Sequence, residues 1–302
     1  MAVLGKELAL VASYIRSLRG GSQPILARAS DGLVYVVKFA DNLQGPNVLF
    51  NECAGNELYR ACGLPVQEWA VLRVSDSFLD RNRDCWIQTP GGRLRPTAGL
   101  CFGSLFMGEG GKRLIEILPR FMINRVRNQS DFWLAWLIDI CAEHVDNRQA
   151  IFVEDAEGWL EARFIDHGHL FGGASANLNR NFRASRYLDP RIYAEVSFEA
   201  LRNFQNLLQA LDLDKLRRGI KTIPAEWSHP SAQERFDRCV QRLKMDSLVQ
   251  QIIDTITNDR EQRAETRPGK LGDERKPRSA ILRLGLQDAG FGPRPAHFPH
   301  CA

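Results

Sequence analysis

Residues 136–173 constrain the fold of this chain more than any other stretch. They begin with an apolar, helix-like run that ends in the polar cluster HVDNRQ, residues 144–149. Two short apolar runs separated by a charged turn follow, which predicts a β-hairpin, and the second run ends at Asp166. Because a hairpin folds its ends back together, we expect Asp146 and Asp166 to lie near each other. Two carboxylates in a partly buried cleft favour a cation between them, as in a magnesium–nucleotide site.

The composition is that of a globular protein. Of its 302 residues, 44% are hydrophobic and 25% are charged, and this length predicts two domains or one large two-lobed domain. The formal charge of +4 suits an anionic ligand but is too small to indicate nucleic-acid binding. The seven cysteines are scattered without a CxxC pair, which favours reduced thiols over a disulfide framework.

We do not expect a signal peptide at the start of this sequence. The apolar patch at residues 8–15 is short and lacks the basic leader and the cleavage site of a signal peptide. No later run is long enough to span a membrane, so we expect a cytoplasmic protein. From residue 258 onward, charges of mixed sign and little hydrophobic periodicity predict a disordered tail.

The first hundred residues predict a small antiparallel sheet with one helix packed on it. Residues 4–18 have the apolar spacing of a short helix, which Gly20, Gly21 and Ser22 then break. A glycine-containing turn before a strand can present N–H groups to phosphates, although such residues also form ordinary turns. The predicted strands cover residues 23–28, 33–39, 69–74 and 84–88.

Lys38 stands in the second of these strands among apolar neighbours. A lysine there can extend its ammonium group to solvent, or place it over the phosphates of a nucleotide, as in the V-A-I-K pattern. The second role requires a carboxylate from the following helix, which is predicted at residues 48–62 and carries Glu52 and Glu57. Glu52 is the first choice of partner and Glu57 is expected to be solvated, with the reverse order left open.

The remainder is predicted to be mainly helical after a hinge. Residues 89–111 are rich in Gly and Pro and indicate a linker that can contain a strand at residues 100–106. Asp139 lies inside an apolar helical run, where an unpaired carboxylate is costly, so we expect it to brace the next loop through hydrogen bonds. Helices are predicted over residues 114–122, from Ser130 and Asp131 onward, and over residues 198–210, 213–220 and 230–257.

These residues together resemble a known family. Lys38 in a strand, Glu52 on the next helix, Asp146 in a polar loop and Asp166 in an Asp-His-Gly triplet follow the protein-kinase order. More closely, the chain resembles the HipA-like kinases, especially a bacterial subgroup in which a small HipA-like kinase domain makes up most of the protein. The resemblance covers roughly residues 20–255, in the stretches YVVKFADNLQGPNVLFNE, CGLPV, HVDNRQAIF, FIDHGHLFGG and IPAEW.

The resemblance implies a role for each matching residue. Lys38 would bind nucleotide phosphates, and Glu52 would orient it. Asp146 would accept the proton of the attacking hydroxyl or align it, and Asp166 would hold Mg²⁺. The residues expected near the phosphates are Gly20, Gly21 and Ser22.

The chain departs from the kinase pattern at the second metal ligand. Kinases usually have an asparagine five residues after the catalytic aspartate, and here that position is Ile151. The nearby amides are Asn147 and Gln149, so Gln149 would have to substitute by ligating Mg²⁺ through its carbonyl oxygen. This departure keeps two alternatives open, a nucleotide-binding pseudokinase and a protein-interaction module without catalysis.

A transition-metal hydrolase is a further alternative. Histidine and aspartate are common ligands of such metals, but the HExxH-like spacing typical of these enzymes does not occur here. His167 and His169 also suit plain turn residues, facing solvent or bonded to backbone carbonyls. The potential ligands are His144, Asp146, Asp166, His167 and His169.

The predicted fold is α+β and two-lobed, resembling protein kinases, with a sheet-rich N-lobe and a helical C-lobe. The predicted boundaries are residues 1–105, residues 106–257 and a tail from 258 to 302. The resemblance implies ATP- and Mg²⁺-dependent phosphoryl transfer to a protein Ser or Thr hydroxyl, with a small-molecule hydroxyl as the other acceptor. We expect neither a membrane nor a nucleic acid as a partner, and the oligomeric state is left open.

Overall fold

The computed structural model describes residues 8–108, 113–174, 186–193 and 198–245, together with residues 250, 253 and 254. Contacts divide the chain into two units, residues 1–261 and residues 262–302. The second unit lies outside the described residues, as does the whole predicted tail from residue 258.

The described residues form a mixed α+β fold, in agreement with the predicted class. The strands are β1 (Ala9–Ser17), β2 (Ile25–Ala29), β3 (Val34–Lys38), β4 (Trp69–Val74), β5 (Ile87–Thr89), β6 (Gly92–Leu94), β7 (Gly99–Leu105), β8 (Leu114–Ile115), β9 (Gln149–Glu154) and β10 (Leu160–Ile165). The helices are α1 (Val48–Ala61), α2 (Asp76–Arg81), α3 (Asp131–Cys141), α4 (Phe198–Gln209), α5 (Leu213–Ile220) and α6 (Pro230–Leu243). Short 3₁₀ turns occur at Arg120–Arg125, Pro190–Ile192 and Ala225–Trp227.

Five strands close into a small barrel, in the order β1-β2-β3-β7-β4. Neighbouring strands are antiparallel except β1 and β4, whose parallel contact closes the barrel where Ala9 pairs with Leu72. The interior is tightly packed: Val37 and Leu72 are fully buried, and a Cβ at Gly103 would lie 2.4 Å from Leu72 Cδ1. The sequence predicted a small antiparallel sheet, and its closure is a finding of the structure.

The first element of the barrel differs from its prediction. Residues 9–17 form strand β1, so the helix predicted over residues 4–18 is wrong; residues 1–7 lie outside the described part. The pairing of β1 with β2 has register shifts between Val11 and Ser13 and between Tyr14 and Arg16. Such irregularities interrupt the strict alternation of a strand, which is why the apolar spacing resembled that of a helix.

The segment between β4 and β7 also differs in detail. A short helix, α2, replaces the expected polar loop. The hydroxyl of Ser75 caps this helix by accepting a hydrogen bond from the N–H of Phe78 at 3.1 Å. The predicted strand at residues 84–88 appears as β5, which pairs with β6 in a separate two-stranded ribbon. The predicted hinge contains β7, a strand that lies between β3 and β4 in the barrel.

A second sheet and α3 form the layer that carries the polar loop. The sheet has the order β10-β9-β8, and the predicted hairpin is confirmed as the β9–β10 pair. Phe132 of α3 packs on Phe152 and Phe164 of this hairpin, with ring centres 6.4 and 5.1 Å apart. The helix predicted at residues 114–122 is wrong, because Pro119 separates β8 from a 3₁₀ turn.

Helix α1 lies between the barrel and the C-terminal helices. It contacts β7 on one side and α5 and α6 on the other, and its bounds agree with the predicted residues 48–62. Helices α4 and α5 also agree with their predictions, whereas α6 ends at Leu243 and residues 246–249 lie outside the described part. Across the described ranges, each helix is too short or too polar to cross a lipid bilayer.

Candidate functional site

The ammonium group of Lys38 lies between two carboxylates from distant parts of the chain. Lys38 ends β3, and its Nζ donates to Oε1 of Glu52 at 2.5 Å and to Oδ1 of Asp166 at 2.9 Å. Glu52 lies in the first half of α1, and Asp166 directly follows β10. The fold therefore brings together three residues that the sequence pattern had singled out.

Glu52, and not Glu57, is the partner of Lys38. Glu57 accepts hydrogen bonds from Arg60 Nη1 at 2.7 Å and from Trp69 Nε1 at 2.9 Å. Its side chain is 18% exposed, so the expectation that Glu57 is a solvated surface group is wrong. It instead ties α1 to the start of β4.

Lys38 and the two carboxylates shift one another's pKa values, and Asp166 raises that of Glu52. Burial, the largest influence, disfavours the charged ammonium, but Asp166 and Glu52 outweigh it and raise the pKa of Lys38 above its usual value. The adjacent Lys38 lowers the pKa of the Asp166 carboxyl well below its usual range. For Glu52, burial raises the pKa, whereas Lys38 favours the carboxylate. Two carboxylates facing one ammonium leave an excess of negative charge, which suits a divalent cation.

Helix α1 also holds the segment that follows β10. The N–H groups of His167 and Gly168 donate to the Glu52 carboxylate at 3.2 and 3.0 Å. Asn51 Nδ2 donates to the carbonyl oxygens of Gly168 and Leu170, both at 2.9 Å. A Cβ at Gly168 would lie 3.0 Å from Glu52 Oε1, so glycine permits this close approach. Asn51 was not predicted from the sequence, although a second polar residue beside Glu52 at an apolar helix start could have indicated it.

Asp166 has a left-handed backbone conformation, and both of its carboxylate oxygens are bonded. Its φ is 60°, a value that is uncommon for residues other than glycine. Oδ1 accepts from Lys38, and Oδ2 accepts from Nε2 of Gln149 at 2.8 Å. The hairpin register explains the second bond, because Gln149 at the start of β9 pairs with Ile165 at the end of β10.

The oxygen donors around Asp166 are of the kind that Mg²⁺ prefers. The Asp166 side chain is 22% exposed, so an ion from solvent can reach it. A carboxylate oxygen is a preferred Mg²⁺ ligand, and rotation of the Gln149 amide would bring a carbonyl oxygen to the same place. Asn147 is exposed, and Ile151, five residues after Asp146, is inside β9.

Asp146 lies in the loop between α3 and β9, at the same end of the hairpin as Asp166. It is partly buried, and its Oδ1 accepts from the N–H of Asn147 at 2.7 Å. The N–H of Val145 donates to the carbonyl oxygen of His169 at 3.1 Å. The loop that carries Asp146 is therefore joined directly to the segment after Asp166.

The glycine-containing turn between β1 and β2 is connected to this segment through Gln44. A Cβ at Gly21 would lie 2.6 Å from Nε2 of Gln44, so a side chain there would displace the amide. The same Nε2 lies 2.8 Å from Nε2 of His169. Gly20 and Gly21 are exposed, whereas Ser22 is buried. Gln44 was not predicted, although it lies in the loop between the strand of the lysine and the helix of its carboxylate.

Beneath the site lies a fully buried polar network around Asp139. Arg148 Nη2 donates to Asp139 Oδ1 at 2.6 Å and Arg148 Nε donates to Oδ2 at 2.9 Å. The hydroxyl of Tyr59 donates to Oδ1 at 2.6 Å, and the N–H of His144 donates to the Asp139 carbonyl oxygen at 2.9 Å. The predicted bracing role of Asp139 is confirmed. Its partners Arg148 and Tyr59 were not predicted.

Two histidines of this region lie in the core. Of the two expectations for His167, exposure to solvent is wrong, and an interaction with the backbone, that of Phe164, remains. His144 and His167 are both fully buried, and the His167 ring packs on Tyr59 with centres 4.6 Å apart. Burial, followed by the charge of Arg148, lowers the pKa of both imidazoles well below the usual value. In the described part of the chain, no three His, Cys, Asp or Glu side chains are grouped so that they could hold a metal ion. The grouping that a transition-metal hydrolase requires is thus not found there.

The chain is similar in fold to solved kinase structures. One is the Helicobacter pylori proinflammatory kinase CtkA, with a TM-score of 0.52 and 11% sequence identity over 80% of this chain and 96% of that chain. Others are the Golgi casein kinase, with a TM-score of 0.44 and 12% identity over 83% and 72% of the two chains, and the Golgi casein kinase with Mn/ADP bound, with a TM-score of 0.42 and 13% identity over 83% and 73%.

No family model matches this chain, and no curated protein is similar to it in sequence. At 11% identity, the similarity to CtkA concerns the fold and not the reaction. The described residues therefore have a kinase-like α+β fold, and Lys38, Glu52 and Asp166 are in contact within it.

Proposed function

We propose that this protein is a HipA-like kinase that transfers a phosphoryl group from ATP, with Mg²⁺, to a Ser or Thr hydroxyl of a protein. The observation that carries the proposal is the position of the Lys38 ammonium between the carboxylates of Glu52 and Asp166. Phosphoryl transfer depends on positioning and on neutralising the charge of the phosphates. The buried ammonium of Lys38 can position and neutralise the phosphates, and the partly exposed carboxylate of Asp166 can hold the metal ion.

Each charged residue of the site then has one task. Lys38 keeps its proton at neutral pH, because the two carboxylates raise its pKa, and it binds the phosphates. Glu52 orients Lys38 and holds the N–H groups of His167 and Gly168. Asp146 accepts or aligns the proton of the acceptor hydroxyl.

Asp166 and Gln149 are the proposed metal-binding residues. Bound Mg²⁺ would neutralise charge on the phosphates during transfer. Asp166 Oδ2 is hydrogen-bonded to Gln149 Nε2, so the amide must rotate before its carbonyl oxygen can share a cation with Asp166. Asn147 is the other amide of this loop. Gln149 is the stronger candidate, because its side chain is already bonded to the Asp166 carboxylate.

The proposed kinase has two lobes. The barrel and α1 belong to the N-lobe, residues 1–105, and the second sheet with α3–α6 belongs to the C-lobe, residues 106–257. In this arrangement the turn of Gly20, Gly21 and Ser22 lies beside the phosphates, since Gln44 connects it to His169. The resemblance to HipA-like kinases favours a protein hydroxyl as the phosphoryl acceptor. A small-molecule hydroxyl is the alternative acceptor.

One observation favours a second candidate, a nucleotide-binding pseudokinase. The position of the usual second metal ligand is Ile151, inside β9, and Gln149 presents its amide nitrogen to Asp166. If Gln149 does not rotate, nucleotide would bind without transfer of its phosphate.

Thermal unfolding with and without Mg-ATP tests the proposal. At about a hundred times the dissociation constant, a ligand adds roughly 2.7 kcal/mol to the stability of the folded state. We expect the wild type to shift with Mg-ATP and Asp166→Ala to lose the magnesium-dependent part of the shift. The control is Asp84→Ala, which should behave as the wild type. Asp84 is an exposed aspartate in the turn between α2 and β5.

Turnover separates the two candidates. Release of ADP and labelling of protein Ser or Thr, measured with γ-labelled ATP, would support the kinase. A magnesium-dependent shift without turnover on any acceptor would support the pseudokinase. No shift at saturating ATP for any variant would contradict both and favour a protein-interaction module.

A further inference from the structure

Arg148 links the buried network to the backbone just before Asp166. Two of its nitrogens bind the Asp139 carboxylate, and the third, Nη1, donates to the carbonyl oxygen of Ile165 at 3.1 Å. Nη1 also lies 3.4 Å from Nδ1 of His167. The guanidinium lies 4.9 Å from the ring centre of Tyr59, so one side chain joins the loop of Asp146 to α3, α1 and the end of β10.

The bond to Ile165 bears directly on the conformation of Asp166. The Ile165 carbonyl belongs to the peptide unit before Asp166, and the φ of Asp166 is the rotation that relates this unit to the Asp166 side chain. The next peptide unit is held on its other side, because the N–H of His167 donates to Glu52. Asp166 is therefore held by Arg148 before it and by Glu52 after it.

This double hold matters because the conformation is unfavourable for aspartate. A φ of 60° is strained for a residue with a side chain, and it persists where neighbouring groups hold it. Without the bond from Arg148, the carbonyl of Ile165 loses a hold that the hairpin pairing of Ile165 with Gln149 does not replace on the side of Asp166. The carboxylate of Asp166 would then leave its position beside Lys38 and Gln149.

We infer that Arg148 is a positioning residue: it holds the peptide before Asp166 and thereby keeps the Asp166 carboxylate in the metal-binding geometry. The catalytic relevance of this role rests on the proposed function, whereas the conformational role does not. Arg148 touches neither the nucleotide nor the acceptor in this scheme. It acts on the reaction through Asp166.

The test needs a variant that removes Arg148 and still folds. Arg148→Met alone leaves the Asp139 carboxylate buried without its cation, which is destabilising. Asp139→Leu combined with Arg148→Met replaces the buried pair by apolar side chains, an exchange that proteins often tolerate. The hydroxyl of Tyr59 keeps an acceptor in this double variant, because it also lies 3.3 Å from the Ala135 carbonyl oxygen.

The first measurement is hydrogen exchange of the two N–H groups that bind Glu52, those of His167 and Gly168. In the double variant we expect both to exchange at least about tenfold faster, while amides of the barrel exchange as in the wild type. Unchanged exchange at both amides would overturn the inference. This measurement requires no nucleotide.

Arg148→Lys covers the case in which the double variant does not fold. Lysine keeps a positive charge near Asp139, but it lacks the planar fork that bonds to Asp139 and Ile165 together. The same increase in exchange is expected, and wild-type exchange in Arg148→Lys would overturn the inference. The matched control is Glu161→Gln with Arg163→Met, which removes an ion pair of 3.0 Å on β10 and should leave both amides unchanged.

The second measurement connects this role to the site. Binding of ADP is compared with and without Mg²⁺: the variants should keep the metal-independent part, which Lys38 provides, and lose at least about tenfold in the metal-dependent part. Equal metal-dependent gains in wild type and double variant would contradict a role in metal positioning. If the wild type binds no nucleotide at all, the proposed function fails, and the exchange measurement still decides the conformational role of Arg148.

Discussion

Two neighbouring clusters of carboxylates and cations, around Lys38 and around Asp139, differ in balance and in exposure. Around Lys38, one ammonium contacts the two carboxylates of Glu52 and Asp166, and the Asp166 side chain is 22% exposed. Around Asp139, one carboxylate is matched by one guanidinium in two parallel bonds, and both side chains are inaccessible to solvent. The two clusters are neighbours, because Arg148 of the second bonds to the residue before Asp166.

The difference makes the cluster around Lys38 the better candidate for a ligand site. A buried pair with equal and opposite charge and satisfied hydrogen bonds has no need of a further ion, and it specifies how loop, helix and strand fit together. A cluster with excess negative charge and an exposed oxygen gains from binding a cation.

The largest effect is expected in the closed cluster. Arg148→Met should lower the free energy of unfolding by about 3–5 kcal/mol, because it leaves a buried carboxylate without its partner. Adding Asp139→Leu should restore most of this loss. Urea unfolding monitored by circular dichroism measures both variants, and a loss below about 1 kcal/mol for Arg148→Met would contradict the view of this cluster as a closed pair.

The next effect is a loss of stability in mild acid, caused by His144 and His167. Burial lowers the pKa of both in the folded state, whereas the unfolded chain binds protons below about pH 6.5. The unfolded state then binds more protons, so stability should fall as the pH drops from about 7 toward 5, by up to about 2.7 kcal/mol per pH unit for two histidines.

The control for this prediction is His144→Gln and His167→Gln, singly and together. Each replacement should reduce the slope of the free energy of unfolding against pH, whatever it does to stability at pH 7. A slope that survives in the double replacement would assign the acid sensitivity to other groups. The Asp166 carboxyl does not contribute in this window. Its pKa is lowered in the folded state, so its contribution to stability is lost only where the unfolded aspartate takes up a proton, below about pH 5.

A smaller effect is expected in the open cluster. Asp166→Asn should change the free energy of unfolding by about 1 kcal/mol or less, because Lys38 retains Glu52 and asparagine tolerates a left-handed conformation. The same variant should lose the magnesium-dependent part of nucleotide binding. Isothermal titration with ADP, with and without Mg²⁺, measures this loss. If the variant keeps the full magnesium-dependent part of binding, Asp166 is not the metal ligand that we propose.

The smallest effect is expected for an ion pair on the surface of the hairpin. Arg127 and Asp155 are 2.8 Å apart, but their side chains are 56% and 38% exposed. Their coupling in a double-mutant cycle with alanine should be about 0–1 kcal/mol and should decrease with salt. A coupling as large as that of Asp139 and Arg148 would show that exposure is not what separates these clusters.

Much of the site could be predicted because its parts are local patterns. The strand around Lys38, the helix of Glu52 and the hairpin before Asp166 each have a clear periodicity and clear turn residues. The hairpin pattern also predicted that its two ends meet, and the pairing of Gln149 with Ile165 confirms this. Strand β1 was mistaken for a helix, because its bulged pairing removes the alternation that identifies a strand.

Other features depend on residues that are far apart in the chain. In the sequence, Arg148 is one more charged residue of a polar loop. Its role becomes visible only in the fold, where α3 places Asp139 and α1 places Tyr59 beside it. Gln44 and Asn51 become part of the site only when the segment after Asp166 packs against them. Local spacing contains no information about such partners.

The order of residue types along the chain was enough to identify a kinase-like fold and the residues that would carry its charges. The closure of the barrel and the bonds that hold Asp166 came from the folded molecule, which also bears out the preference for Glu52 over Glu57. Periodicity reflects interactions between residues a few positions apart, whereas Lys38 and Asp166 meet across 128 positions. The free energy of such a contact depends on burial and on the neighbouring charges, and both exist only once the chain has folded.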